Sequence, residues 1–498
     1  MKNPHVDALL GRDPYLGLTF DDVSLVTQYA DFLPQDASIK SRFSRNIELN
    51  IPFVSAAMDT VTEAPMAIAI ARLGGIGVLH KNMSAKAQAA EVRKVKLHSN
   101  GLIQQPVSFR DSDDIATVLR TKQEKGLPFS GFPILDANDH VVGILTAKDL
   151  KFITDRKVSV ASVMTGKLIT ASAGTTLEQA YKIMTEARIG KLPLLDDKGK
   201  LAGLYSFHDV RALMTGSSKQ ENLDSRYQLR VAAAISPYDY ERAEALINAG
   251  VDAITIDTAH GHSKGVVDTV RELKKRYGAK VDVVAGNVGT GEGAKALADA
   301  GADGVKVGIG PGSICTTRVV CGVGIPQISA IWTASRALPL DVPVIADGGI
   351  KQSGDVPKAI AAGASAVMMG GLLAATEESP GEKVMHQGRR FVVYRGMGSL
   401  EAMKAGQGSR ERYGQGDVED SSQLVPQGIE GQVPYRGTVS SVLHQFAGGL
   451  RFSLGYNGAR SVPELQAKAR MVQVTSAGLR EAHPHDIQMI RDAPNYRN

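Results

Sequence analysis

The sequence predicts a mixed α/β protein: a (β/α)8 barrel interrupted by a smaller insert. Three observations carry this reading. Outside residues 101–216, a short and continuously apolar run, a Gly- or polar-rich loop and an Ala-rich amphipathic stretch recur about eight times. Inside residues 101–216 a different unit occurs twice. The chain has 498 residues, enough for two or more structural units.

The candidate barrel strands are Pro52–Ala57, Ile76–Leu79, Arg230–Ala234, Ala253–Asp257, Val281–Ala285, Gly304–Val307, Pro343–Asp347 and Ala366–Met369. Apolar runs without alternation suit strands buried on both faces, as in a parallel sheet. The stretches after them, such as YERAEALINAG, EGAKALADAG and DVPKAIAAG, each end on Gly, where a helix C-terminus favours it. Eight such units favour a closed barrel over a doubly wound sheet. The barrel then comprises residues 1–100 and 217–498, with the insert between its second and third units.

The first copy in the insert reads PVSFRDSDDIATVLR and then GFPILDANDHVVGILTAKDL; the second reads LITASAGTTLEQAYKIM and then KLPLLDDKGKLAGLYSFHDV. Each predicts a short strand, an amphipathic helix, a β-pair and a closing helix. The β-pairs turn at Asp136-Ala137-Asn138-Asp139 and Asp196-Asp197-Lys198-Gly199, which is hairpin chemistry. Each copy closes on a glycine, a hydroxyl and a carboxylate: Gly143, Thr146 and Asp149, then Gly203, Ser206 and Asp209. Such a set can bind a ribose or phosphate, or cap the next helix. The pair resembles tandem cystathionine-β-synthase (CBS) domains, a Bateman unit, at residues 101–158 and 159–216. That resemblance implies ATP or GTP as ligands.

Bulk composition narrows the function classes. Net charge is +5 with no basic block, which argues against nucleic acid and suits a phosphorylated metabolite. No apolar run reaches membrane-spanning length, and MKNPHVDALLGRDPY carries no apolar signal core. The two cysteines, Cys315 and Cys321, make no disulfide framework, so a reducing, cytoplasmic setting is expected.

The string GPGSICTTR presents Cys315 in a Gly-rich turn after the sixth candidate strand. Thr316 and Thr317 supply hydroxyls, and Lys306 and Arg318 supply positive charge that can activate a thiol. In a barrel the site lies at the C-terminal strand ends, with phosphate at the last two loops. Those loops carry Asp347-Gly348-Gly349 and Gly370-Gly371, so backbone N–H groups can converge on a phosphate while Asp347 accepts from ribose hydroxyls. Asp257 ends the fourth strand and faces the same site. His260 and His262 lack a third metal ligand and read as a helix-entry loop. Gly308 to Gly312 lacks the spacing of a dinucleotide fingerprint. Residues 377–437 read as a long lid, too rich in Gly and charge for a rigid element, from which Arg412 and Tyr413 can reach a site.

The strings LTFDDV, SAAMDTV, GGIGVLHKN, GPGSICTTR, DGGI, MMGG, YRGMGS and VPQGIEG, with the Arg412-Tyr413 lid, resemble the inosine-5′-monophosphate (IMP) dehydrogenase family along essentially the whole chain. The resemblance implies NAD-dependent oxidation of IMP to XMP for guanine nucleotide biosynthesis. It assigns Cys315 as nucleophile, forming a thioimidate, and Arg412, Tyr413 and Thr317 to its hydrolysis. It implies substrate contacts at Ser313, Asp347, Gly348, Gly349, Gly370, Gly371, Tyr394, Arg395, Gly396, Met397, Gly398 and Gln427. It implies NAD contacts at Asp257, Gly308, Ile309 and Gly310. It also implies potassium on the carbonyls of Gly310, Gly312 and Cys315, completed by Glu481, Ala482 and His483 of a neighbouring subunit. A site shared between subunits implies a homotetramer, or two paired face to face as an octamer. Two positions depart from the bacterial pattern, which commonly has Glu at Gln427 and Ser at Ala482. Two alternatives remain. GMP reductase shares the barrel and the cysteine but generally lacks the Arg-Tyr lid and usually the insert. A catalytically dead nucleotide sensor would have lost the cysteine or the lid, and both are present.

Overall fold

The computed structural model describes residues 3–98, 102–103, 106–124, 131–151, 153–215, 220–418, 420–487 and 493–496. Eight parallel strands close a barrel: β1 (Phe53–Ser55), β2 (Ile76–Leu79), β3 (Val231–Ile235), β4 (Ala253–Asp257), β5 (Asp282–Val288), β6 (Gly304–Val307), β7 (Val344–Asp347) and β8 (Ala366–Met369). Closure comes from β8 pairing with β1, Val367 opposite Phe53. All eight candidate runs become barrel strands. The fifth runs on to Val288, past the apolar residues that predicted it, because Gly286 and Asn287 stay buried at the strand's C-terminal end.

Each strand is buried along almost its whole length, which is why its sequence shows no alternation. A helix follows each one, from Ala64–Arg72 after β1 to Val439–Tyr456 after β8. Side-chain caps start several of them: Asp239 accepts from the Arg242 N–H, Thr290 from Gly293 and Thr438 from Ser441. The floor of the barrel, opposite the cysteine loop, is tied by charge. Asp303, at 1 % exposure, accepts from Lys274 Nζ (2.8 Å), the Val283 N–H (2.9 Å) and Arg45 Nη1 (3.1 Å).

The chain divides into two compact units. One comprises Met1–Val95, Gln220–Asn222 and Leu229–Asn498; the other comprises Lys96–Lys219 and Leu223–Gln228. The second unit holds two small sheets, one ordered Phe109–Arg110, Phe132–Leu135, Val141–Leu145, the other Ala171–Ser172, Lys191–Leu195, Leu201–Ser206, Leu102–Ile103. The two copies use the same hairpin device. Asp136 accepts from the N–H groups of Asn138 (2.8 Å) and His140 (2.9 Å), and Asp196 accepts from those of Lys198 (2.9 Å) and Lys200 (2.8 Å). The copies also exchange short pieces. Leu102–Ile103 pairs with the second copy's strand, and Val160 packs in the first copy's core with Phe109, Phe132 and Leu145. The expected boundary residues Gly101 and Gly216 lie outside the described residues. In the first copy the hydroxyl and carboxylate close on each other: Asp149 accepts from the Thr146 N–H and hydroxyl, both at 2.7 Å, at the entry of helix Ala147–Lys151. Among the described residues no helix is long and apolar enough to cross a membrane.

The Asp303 network makes a stability prediction remote from the cysteine loop. Asp303→Ala strands the buried Val283 N–H and leaves Lys274 with the Gly278 carbonyl in place of a carboxylate. It is expected to cost about 1–3 kcal/mol, read as a lower urea midpoint with an unchanged slope. A midpoint equal to that of the parent protein would show that water replaces the carboxylate.

Candidate active site

The C-terminal strand ends enclose a cavity of about 390 Å³. It is lined by Ser313, Cys315, Thr317, Asp257, Gly308 to Gly310, Gly312, Asp347 to Gly349, Gly370, Gly371, Tyr394, Gly396, Met397, Arg412, Tyr413 and Gln427. Residues separated widely in sequence therefore converge on one space. Two expected lining residues do not. Arg395 turns away and pairs with Asp59 at 2.7 Å. Gly398 sits behind Tyr413, where a Cβ would lie 2.6 Å from the ring carbon Cζ, so it seats the tyrosine.

Cys315 follows β6 on a turn held from two sides. Its N–H donates to Gly312 O (3.1 Å), the Thr316 N–H donates to Gln427 O (3.0 Å), and the Ile429 N–H donates to Ile314 O (3.1 Å). The sulfur lies 3.1 Å from the Thr317 hydroxyl. The two cations expected to serve the thiol make their hydrogen bonds elsewhere, although the charge of Arg318 is still felt at Cys315. Arg318 closes the turn by donating to Ile309 O (3.2 Å) and Ile325 O (2.6 Å), and burial lowers its proton affinity. Lys306, at 1 % exposure, pairs with Asp347 Oδ2 (2.7 Å) and Asp257 Oδ1 (2.9 Å) and donates to Asn287 Oδ1. Thr317, not a cation, is the sulfur's side-chain partner.

The last two strand ends supply the Gly-rich turns. Gly348 (φ +90°) and Gly349 (φ +85°) take a backbone form that other residues adopt only under strain. At Gly371 a Cβ would lie 3.2 Å from the Tyr394 ring. The phenols of Tyr394 and Tyr413 are both pushed up from their ordinary value, chiefly by burial.

The segment expected to be a loose lid is folded. Lys383–His386, Arg389–Arg395 and Glu430–Pro434 form an antiparallel sheet, with Val392 opposite Val433, and the short helices Leu400–Ala405 and Gln407–Arg412 lie between. The strand FVVYR buries alternate residues, a period-2 signal masked by the flanking glycines and charges. This fold carries Arg412 into the cavity. Its Nη1 pairs with Asp257 Oδ2, and its carbonyl accepts from the Ala259 N–H at 3.1 Å. Arg412 Nε is buried and bonds to no protein atom among the described residues.

Several site residues were missed from sequence. Asn287 donates to Gly308 O (2.8 Å) and Asp347 Oδ2 (2.9 Å). Lys81 is buried at 2 % exposure beneath Asp257 and donates to its carbonyl at 2.8 Å. The available signal was a charged or amide residue inside, or just past, an apolar strand run. His260 and His262 stand with ring centroids 6.5 Å apart, and no cluster of three or more metal-ligating side chains occurs among the described residues. Glu481, Ala482 and His483 are exposed at the end of helix Ser476–Glu481 and do not line the cavity; His483 meets the Tyr496 hydroxyl at 2.9 Å.

Residues 17–485 match the family model for the IMP dehydrogenase / GMP reductase domain. The chain is 51% identical over 488 residues to inosine-5′-monophosphate dehydrogenase of Aquifex aeolicus, covering 96% of this chain and 97% of that one. It is 48% identical over 484 residues to the enzyme of the same name from Halalkalibacterium halodurans, covering 96% and 98%. The crystal structure of a GMP reductase variant from Trypanosoma brucei, in complex with guanosine 5′-monophosphate, superposes with a TM-score of 0.82 at 38% identity, covering 96% of this chain and 99% of that chain. That coverage leaves too little unmatched for the insert to be missing. The insert therefore does not separate dehydrogenase from reductase, contrary to the sequence expectation.

The buried phenols carry a pH prediction. Tyr413 holds its proton more tightly in the folded protein than in the unfolded chain. Its contribution to stability is full below about pH 10 and is lost as pH rises past that value. Tyr413→Phe is expected to flatten the fall in unfolding free energy above about pH 10, measured by urea titration. Equal slopes for variant and parent would uncouple this proton from folding.

Proposed function

Because the chain belongs to the IMP dehydrogenase / GMP reductase family, we propose that it oxidises IMP to XMP with NAD, through a thioimidate on Cys315 that water then hydrolyses, in guanine nucleotide synthesis. One observation carries this reading. The Cys315 sulfur lies against Thr317 in a cavity whose walls include two Gly-Gly turns as well as Arg412 and Tyr413. A phosphate at one wall and a hydrolytic set at another suit a mononucleotide held for a two-step reaction.

On this reading the N–H groups around Gly348, Gly349, Gly370 and Gly371, with the Ser313 hydroxyl, hold the phosphate of IMP. Asp347 accepts from the ribose. Gly396, Met397 and Gln427 border the base. The Cys315 thiolate adds to C2 of the purine, and the C2 hydrogen then leaves with its electron pair, giving the thioimidate. NAD, when bound, supplies the acceptor for that hydride; Asp257 and the turn Gly308 to Gly310 would hold it. A guanidinium ordinarily keeps its proton. Arg412 therefore orients the water, using the Nε–H that bonds to no protein atom among the described residues, and Thr317 passes on the proton that the water releases. Asp257 cannot hold Arg412 and a dinucleotide at once, so the segment 407–413 withdraws for hydride transfer and returns for hydrolysis.

Three further assignments belong to this reading. Backbone carbonyls of Gly310, Gly312 and Cys315 form part of an oxygen-only shell suited to potassium. The remainder comes from Glu481, Ala482 and His483 of a second copy in a homotetramer, or in an octamer of two tetramers. This fits their exposure in the single chain. ATP or GTP binds the tandem CBS unit and regulates rather than reacts, and the protein works in the cytoplasm. A second reading, reductive deamination of GMP with NADPH, is favoured by the likeness to the Trypanosoma brucei reductase.

Absorbance of NADH on mixing with IMP and NAD in potassium buffer separates the two. The parent protein is expected to turn over steadily and Cys315→Ala to make no NADH. Arg412→Ala should give one burst and then a rate lower by about 10²–10⁴. Consumption of NADPH with GMP, without NADH from IMP, would favour the reductase. Replacing residues 101–216 by a short linker is expected to leave turnover within about twofold, since the described residues that line the cavity all belong to the barrel unit. Loss of activity in a folded deletion variant would overturn the regulatory assignment.

A further inference from the structure

The docked segment meets the barrel at two charged points, and the reading above uses only one. Arg412 lands on Asp257. One residue earlier, Glu411 Oε2 accepts a hydrogen bond of 2.5 Å from the hydroxyl of Ser236, just past β3. Ser236 Oγ in turn accepts one of 3.0 Å from Lys81 Nζ, just past β2. The other two ammonium protons of Lys81 go to carbonyls, Ile235 O at 3.3 Å and Asp257 O at 2.8 Å. Lys81 thus has a full set of acceptors but no carboxylate directly on it. Burial first, then the charges of Arg412 and Arg242, push the proton affinity of Lys81 well below its ordinary value, and Glu411 and Asp239 push it back up.

The backbone around this contact is seated closely. A Cβ at Gly408 would lie 2.5 Å from Lys81 O. The Ser409 N–H donates to Asn82 Oδ1 at 3.2 Å. Docking therefore brings one cation and one anion to the barrel together. Without the anion, nothing on the segment would oppose burial and Arg412 in stripping the proton from Lys81.

We propose that Glu411, acting through Ser236 and Lys81, is the positioning residue that holds Arg412 and Tyr413 over Cys315 during hydrolysis. This rests on the reading of those two residues as the hydrolytic pair. Arg412 and Glu411 form a two-pronged, charge-neutral plug. The strength of the Glu411 prong sets the fraction of time the plug is seated, and so the rate of the second half-reaction. Hydride transfer requires the segment to be away and does not use this prong.

The test is rapid mixing with IMP and NAD for the parent protein, Glu411→Gln, Ser236→Ala and the double variant. In parallel, hydrogen exchange is followed at the amides of residues 407–413 with IMP bound. Both single variants are expected to keep the rate of the NADH burst within about twofold while steady turnover falls about tenfold. The KM for NAD should fall with kcat, because the competing segment is loosened. The double variant should be no slower than the slower single, since both cut one linkage, and Glu411→Asp should recover part of the loss. Exchange at 407–413 should quicken in both singles. Parental turnover with parental exchange in Glu411→Gln would overturn the proposal, as would equal loss of burst and turnover. If the parent protein makes no NADH from IMP, the dehydrogenase reading fails. The exchange comparison then still decides whether Glu411 seats the segment.

Discussion

The site depends on the buried ammonium of Lys306. Lys306 projects from β6 between the carboxylates of Asp257, ending β4, and Asp347, ending β7, and also meets Asn287 near the end of β5. Taking a lysine out of water costs several kcal/mol unless it is paired and hydrogen-bonded. Here four neighbouring strands supply the group or its partners. An apolar residue of similar size could fill the volume, but it would not aim two carboxylates. The return on the buried charge is therefore geometric: Asp257 and Asp347 are held to one ammonium in the wall of the cavity.

That arrangement also tempers what docks on it. Asp257 is shared between Lys306 and Arg412, so the arginine meets a carboxylate that is already partly neutralised. A lone buried carboxylate would grip the guanidinium much more tightly. On the proposed reading, sharing leaves the contact strong enough to place Arg412 and weak enough to release it. At Lys81, two carbonyls and a hydroxyl accept from Nζ, and Glu411 opposes the loss of its proton to burial.

The barrel was legible in the sequence because its signal is local. Each strand is buried along its length and declares itself as an apolar run, as in AITID and GVKV. The cysteine turn and the paired glycines were legible for the same reason, each being a contiguous string. Contacts between distant residues were not. Lys306 was visible as a charge near Cys315, but its commitment to two carboxylates follows from strand ends brought together only by closure. Ser236 and Glu411 are 175 residues apart, and Lys81 and Ser236 are 155 apart, so no window contains the linkage. The antiparallel sheet at residues 383–434 was missed because its pairing is non-local and its glycines and charges resemble those of a loop. Arg395 was assigned to the substrate by its place in YRGMGS; only the folded chain places Asp59 beside it.

On the proposed reading, the covalent step that lets hydride leave C2 also answers these constraints. One carboxylate, Asp257, serves two visitors that cannot be present together, the dinucleotide and Arg412. The site must therefore change its contents between oxidation and hydrolysis, and a loosely held intermediate could escape during the exchange. A bond to Cys315 removes that risk, because the turn bearing the sulfur is fixed to the folded segment through Thr316 and Ile314 rather than through the helix that moves. The sheet of residues 383–434 then acts as the stationary frame. Only the short helix Gln407–Arg412 and its neighbours need to travel, between Asp257, Ser236 and Asn82 on one side and solvent on the other. The covalent anchor, the shared carboxylate and the neutral plug are in this sense one device, each part requiring the other two.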